Sequence, residues 1–332
     1  MTASYSAQAP AAVVMVRPHA FRSNPDTLAD NAFQKRDAAA TQADTAAAAH
    51  AEVSTMVRQL QDAGVRVHLF EDTGTATPDA VFPNNWFSTH AGGHMALYPM
   101  ATPSRQRERR WDIIDGLKQH YRVQDVIDYS GLEQDHVYLE GTGAMVLDHI
   151  DRVAYVARSN RADPLALERF CTHFNYEPLL FDAADASGRA VYHTNVLMCI
   201  GTVFAMAGFD MITDVRRRSE VRQRLSENGR TLVALTAAQV GEFAGNALEL
   251  QGGQGRLLAL SSRALRALTR AQIASLVRSV TLLPLDVPTI ERAGGSVRCM
   301  LAGIHLKPRP GQQAIQSNDG VSGLATDLPA AT

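Results

Sequence analysis

Short apolar runs recur along this chain in a fixed order, separated by Gly, Pro, Asn and Asp turn signals. Residues 13–16 form the first run, closed by Arg17-Pro18, and read as a strand. Residues 18–31 carry loop-forming Pro, Asn and Asp, with a short helix expected after them. In the Ala-rich stretch 43–60, Val53, Met56, Val57 and Leu60 fall at i, i+3, i+4 and i+7, which predicts an amphipathic helix stopped at Gly64. Residues 65–70 then read as a strand.

From residue 81 the pattern becomes strand, turn, strand, helix, strand, and it repeats. Strands are expected over 82–88 and 94–98 with a helix from Pro103 to about residue 120, then over 137–147 and 152–157 with a helix capped by Asp163-Pro164. Further strands are expected over 191–200 and 202–207, with a helix over 215–228 that ends at Gly229. A last pair, 247–250 and 256–260, precedes short helices starting at Ser262 and at a Thr269…Gln272 capping box. Residues 295–306 read as a final strand, which would have to pair with the first. The polar or reactive residues Asn85, Glu140, His193, Asn246 and Cys299 stand early in successive units, 55, 53, 53 and 53 residues apart. A fixed period near 50 residues marks repeated supersecondary units. It predicts one α/β domain of five pseudo-equivalent strand–strand–helix–strand units around an axis, with helices outside.

Composition narrows the function. Apolar residues are 45% of the chain and charged residues 20%, so most of it is expected to be globular. A net charge of −2 argues against a nucleic-acid or membrane-surface binder. The run Arg216-Arg217-Arg218 reads as a solvated helix face. No apolar run approaches the ~18 residues that span a bilayer, and no basic region precedes residues 11–16 as in a signal peptide. The three cysteines form no CxxC pair and no zinc spacing, which suggests reduced thiols and a cytoplasmic setting. Residues 1–10 are expected to be flexible, 11–306 to form the single domain, and the Pro- and Gly-rich residues 307–332 to be a disordered tail.

Cys299 and His193 are the one Cys/His pair at the repeat positions. A thiolate is a strong nucleophile, and a nearby imidazole can lower its pKa and move the leaving-group proton. Taken singly, Cys299 reads as a small buried hydrophobe and His193 as a structural histidine. Glu140, between leucine and glycine, needs a partner if buried. Asn85 and Asn195 can both donate and accept hydrogen bonds. Asn246, after Gly245, reads equally well as a turn residue. Cys171 and Cys199 read as core. For the carboxylate of an amino-acid substrate, Arg17 and Arg22 near the closure of the ring are the candidate cations. Arg298 is discounted, because strand alternation would turn it away from its neighbour Cys299.

Leu139-Glu140-Gly141, His193-Thr194-Asn195 and Arg298-Cys299-Met300, at these intervals, resemble the guanidine-modifying superfamily of arginine deiminases, dimethylarginine hydrolases and amidinotransferases. The likeness covers residues 13–306. It implies a five-bladed α/β propeller (pentein) fold of ββαβ units with a central active-site channel, Cys299 as nucleophile, His193 as general acid/base and Glu140 as the family's glutamate. Phe82-Pro83-Asn84-Asn85-Trp86-Phe87 and residues 24–34 are most similar to the citrulline-utilising hydrolase branch. Arginine deiminases hold the guanidinium with two aspartates, where this chain has Asn85 and Asn195. Their Glu-Gly-Gly-Asp is Glu140-Gly141-Thr142-Gly143 here. A guanidinium is cationic and donor-only, and two amides do not neutralise it, whereas a neutral ureido group suits them. The expected reaction is hydrolysis of citrulline to ornithine, carbon dioxide and ammonia through a covalent Cys299 intermediate, with Asn85, Asn195, Asn246, Arg17 and Arg22 as substrate-binding candidates. No metal or cofactor, nucleic acid or membrane partner is implied, and a homo-oligomer is left open. The alternatives are an arginine deiminase- or dimethylargininase-like guanidino hydrolase, an amidinotransferase, and a non-catalytic binding protein of the same fold.

Overall fold

The computed structural model describes residues 6–28, 31–34 and 41–311. Among the described residues fifteen short strands make five separate three-stranded sheets. Four have one plan. Phe87–His90, Met145–Asp148, Met198–Ile200 and Leu248–Gly252 each pair antiparallel with the next strand, His94–Leu97, Val153–Ala157, Phe204–Ala207 and Gly255–Ser261. After helical segments the chain returns parallel to that middle strand, in Asp125–Asp128, Glu177–Phe181, Thr231–Ala234 and Thr281–Leu285. The fifth sheet joins the two ends of the chain. Ala302–Gly303 pairs antiparallel with Ala12–Pro18, which pairs parallel with Arg66–Asp72. The expected pairing of last strand with first is therefore present.

The helices follow their sequence signals. Gln42–Asp62 is capped by Thr41 and buries Ala49, Val53, Met56, Val57 and Leu60. Asp163 caps Pro164–Phe174, whose Leu167, Phe170, Cys171 and Phe174 are buried, and burial pushes the Cys171 thiol up to about 12. Thr269 and Gln272 form the expected capping box. In Val215–Ser226, Arg217 and Arg218 pair with Glu220 and Asp210 at the surface. Among the described residues no helix is long and apolar enough to cross a membrane.

Three expectations are corrected. The helix expected from Pro103 to residue 120 is two, Pro103–Gln106 and Trp111–His120, because Arg105 and Glu108 turn inward into a buried ion pair. Residues 6–10 are not a loose end. Gln8 donates to the carbonyls of Leu147 and Ile200 and accepts from the His149 amide, tying two sheets together. Residues 1–5 lie outside the described part. At the other end, Arg122 N–H donates to Lys307 O and Arg309 N–H to His120 O; residues 312–332 of the expected tail lie outside the described part.

The third correction concerns the repeat positions, which do not sit in strands. Asn85 ends the 3-10 turn Pro83–Asn85, Glu140 precedes the turn Gly141–Ala144, and His193 precedes Thr194–Leu197. Asn246 follows a turn. Cys299 lies in a turn closed by bonds such as Cys299 N–H to Ser296 O, and only Ala302–Gly303 of the expected last strand is extended. Each unit thus enters its first strand through a tight turn, and neighbouring turns nest backbone to backbone. A Cβ on Gly141 would lie 2.6 Å from Asn84 O, and one on Gly245 would lie 2.6 Å from Val196 O. Glycine permits this close approach.

Candidate active site

The nested turns bring the five repeat residues and Asn195 together, all at most 2% exposed. Cys299, His193 and Asn85 line one narrow cleft with Asp79, Arg105, Arg161, Tyr192, Thr27 and Asn31. The Cys299 sulfur accepts from Asn195 Nδ2 and Asn246 Nδ2, each at 3.3 Å. The orientation of Asn246 is set independently, since its Oδ1 accepts from the Arg298 amide and its Nδ2 also donates to Asn195 O. Asn246 is therefore a turn residue and a neighbour of the sulfur at once. Asn195 reaches the sulfur from a helical turn, not from the strand expected over 191–200.

His193 Nε2 lies 2.9 Å from Glu140 Oε2. A carboxylate accepts, so it holds the proton on Nε2 and leaves Nδ1 as the basic nitrogen. Burial lowers the His193 pKa, against the pull of Glu140, so the ring is neutral and able to take a proton. Glu140 is itself wholly buried. Burial alone would raise its pKa, but Arg161, Arg105 and His193 together drive it well below the usual carboxylate range. Arg105 Nη1 donates to Glu140 Oε2 at 3.2 Å and Arg161 Nη1 at 3.1 Å, and the Ala101 amide donates to Oε1 at 3.0 Å.

Arg105 also decides how Asn85 faces. Its Nη2 donates to Asn85 Oδ1 at 2.8 Å. A guanidinium only donates, so the Asn85 oxygen is taken and Nδ2 is presented without a partner. A second buried atom at the cleft lacks a partner, Asp79 Oδ1, and so does Asn195 Oδ1 on the side chain that reaches the Cys299 sulfur. The other Asp79 oxygen accepts from Asn24 Nδ2 at 2.8 Å. Burial pushes the Asp79 carboxyl above its usual range, against Arg105 and Asn24.

Gly143 is the floor beneath this arrangement. A Cβ there would come within 2.1 Å of Asn85 Nδ2 and 2.8 Å of His193 Nδ1. Gly143→Ala should displace both side chains, lowering kcat/KM by on the order of 10²-fold, the scale of losses from misplacing reacting groups by about 1 Å. Steady-state kinetics beside a melting curve would check this. An unchanged rate would mean that neither side chain matters where it stands.

Two expected substrate ligands are not brought to the cleft. Arg17 is bound to Glu71 and to Ser54 Oγ, and Arg22 donates to Thr75 O at the surface; neither lines the cleft. Arg105 and Arg161, which the sequence reading passed over, are the cations there. One signal pointed to them. A buried Glu140 demands a cationic partner, although nothing in the sequence says which.

Compared by sequence with curated proteins, the chain has no match. Solved structures do match in fold. A cysteine-to-serine mutant of the N-terminal domain of ArgZ bound to substrate, described as an arginine dihydrolase from the ornithine-ammonia cycle in cyanobacteria, superposes with a TM-score of 0.68 at 14% identity, covering 92% of this chain and 99% of that one. Unliganded AgrE gives 0.69 at 15% identity over 91% of this chain, which spans only 40% of AgrE. A histidine-to-glycine dimethylarginine dimethylaminohydrolase, as its adduct with S-methyl-L-thiocitrulline, gives 0.59 at 13% identity, covering 88% and 99%. Residues 17–306 match the family model described as eukaryotic N,N dimethylarginine dimethylhydrolase. The chain belongs to that family, within the pentein (guanidino-modifying) superfamily.

Proposed function

We propose that this protein is a cysteine-dependent hydrolase of a ureido amino acid, citrulline, releasing ornithine, carbon dioxide and ammonia. In this reading residues 11–306 form one catalytic domain. The five sheets are blades of a pseudo-fivefold propeller with helices outside and the cleft at its axis.

The observation that carries the substrate assignment is the pair of buried polar atoms left without partners at the cleft: one donor, Asn85 Nδ2, and one acceptor, Asp79 Oδ1. Buried polar groups need partners. A ureido head offers one acceptor oxygen and N–H donors, so it satisfies both. A guanidinium has no acceptor and would leave Asn85 Nδ2 unpaired, at a cost of about 1–3 kcal/mol.

The chemistry follows from the positions. His193 Nδ1 takes the Cys299 proton, and the thiolate adds to the ureido carbon. Asn195 Nδ2 and Asn246 Nδ2, already directed at the sulfur, hold the thiolate. Asn85 Nδ2 receives the oxygen as it gains negative charge. The His193 imidazolium, steadied by Glu140, gives its proton to the departing nitrogen and leaves a carbamoyl-type thioester. A water that gives up a proton to His193 adds to the thioester carbon, the carbon–sulfur bond breaks with that proton returned to Cys299, and the carbamic acid released loses its remaining amine as carbon dioxide forms.

The second reading is hydrolysis of a guanidino compound, as ArgZ's description as an arginine dihydrolase suggests. Asp79 favours it, as an acid with one free oxygen at the cleft. Product analysis with citrulline and arginine side by side separates the two. Citrulline turnover with arginine inert supports the ureido assignment, and the reverse overturns it. Asn85→Asp exchanges the free donor for an acceptor and should lower citrulline kcat/KM by on the order of 10²–10³-fold. An undiminished rate would remove Asn85 from oxygen binding.

A further inference from the structure

Cys299 and Arg298 are consecutive, but they face opposite ways from their turn. Cys299 lines the cleft, and Arg298 lines a second, more enclosed cavity behind it. The direction expected for Arg298 is thus right, although a turn and not strand alternation produces it. This cavity leaves about 40 Å³ for the centres of water-sized spheres. One water needs roughly 10–15 Å³ by that measure, so the space suits a few waters or one small ion.

Its lining is one-sided in charge. Arg298, His149, His305, Gln8, Ser88 and Thr89 supply its main polar groups, and no Asp or Glu lines it among the described residues. Arg298 Nη1 donates to Leu301 O at 3.0 Å, and among the described residues no carboxylate pairs with the guanidinium. A guanidinium has five N–H donors in a planar fork, and a half-buried cation such as Arg298 is stabilised by a counter-charge within reach. Burial draws the Arg298 pKa below its usual range, with only the Cys299 and Cys199 thiols opposing. The two imidazoles are stacked 4.0 Å apart. Burial pulls His305 down to about 4 and His149 well below the histidine range, so both are neutral, and His305 already bonds the Ala7 backbone.

We propose that this cavity binds one small monovalent anion, of the size class of chloride, nitrate or formate, on the Arg298 guanidinium beside the His149 imidazole. The anion would be the missing counter-ion of Arg298. It would also brace the turn, because the Arg298 amide donates to Asn246 Oδ1 beside Cys299. The site is separate from the cleft that takes the substrate.

Crystals of the full chain grown or soaked in sodium bromide test this directly. The expected result is an anomalous bromide peak within hydrogen-bonding reach of the Arg298 guanidinium; waters alone at that position overturn the proposal. In solution, replacing sodium chloride by sodium gluconate at constant ionic strength should lower the melting temperature by about 2–4 °C, since gluconate is too large to enter. Arg298→Gln should abolish that difference and Arg298→Lys should keep part of it. A wild-type melt indifferent to the exchange counts against the site. Should Arg298→Gln fail to fold, the bromide map of the unaltered protein decides alone. Neither readout involves turnover, so the outcome stands apart from the ureido assignment.

Discussion

Replacing Cys299 by alanine should abolish ornithine formation from citrulline, by at least about 10⁴-fold, while leaving the protein folded and able to bind substrate. The sulfur is the only thiol lining the cleft among the described residues, and it is a far stronger nucleophile than the hydroxyls of Thr27 and Tyr192 there. Its removal leaves Asn195 Nδ2 without an acceptor, while Asn246 Nδ2 keeps its bond to Asn195 O, so the structural cost is small. Iodoacetamide gives the complementary result in the unaltered protein. Burial pushes Cys171 and Cys199 up to about 12, and a thiol that holds its proton so firmly alkylates slowly. Labelling near neutral pH should therefore fall on Cys299 first, faster than on an ordinary thiol, and excess citrulline should slow it. A fully active Cys299→Ala enzyme would end the covalent mechanism. Folded protein with a sluggish Cys299 and no turnover of either substrate would point instead to a binding protein that retains the fold.

The repeat of about 53 residues picked out Asn85, Glu140, His193, Asn246 and Cys299, residues that the structure brings together from turns lying ahead of strands in separate sheets. What the pattern could not convey was the local conformation. Apolar runs such as 191–200 read as one strand, because a four-residue helical turn is too short to register a 3.6-residue period. The structure places Thr194–Leu197 in such a turn. Arg105 and Arg161 were hidden for another reason. They fall off the repeat, and Arg105 sits in the polar stretch 104–110, which reads as a solvated helix. Its burial depends on contacts with Asp79, Glu108 and Glu140, and only Glu108 is near it in sequence. The chain has 32 lysines and arginines, so the need of Glu140 for a cation could not be assigned to one of them. The preference for Asn85 Nδ2 over Oδ1 at the cleft, on which the substrate reading turns, likewise follows only once Arg105 is in place.

Glu140→Gln should reduce kcat/KM by about 10³–10⁴-fold, as expected when a base loses the group that orients it, and should also destabilise the protein. The carboxylate accepts from Arg105, Arg161, His193 and the Ala101 amide, and a carboxamide cannot accept from all four. Leaving two buried guanidinium groups without their shared counter-charge costs about 3–5 kcal/mol, which corresponds to a fall in melting temperature of roughly 5–10 °C. Glu108→Gln separates the two effects. It removes the charge and one of the two bonds from Arg105 and should destabilise comparably, but it leaves the His193–Glu140 contact intact and so should lower kcat/KM about tenfold or less. The pH profile adds a readout that a purely structural role would not move. His193 must be neutral to act as a base, so kcat/KM falls as pH drops through its pKa, which burial places below the ordinary histidine value of 6.5 against the opposing pull of Glu140. Removing that carboxylate takes away the support for the imidazolium and shifts the acid limb to still lower pH. An acid limb that stays in place in Glu140→Gln, with activity lost only in proportion to unfolded protein, would show that Glu140 holds the fold together and does not act through His193.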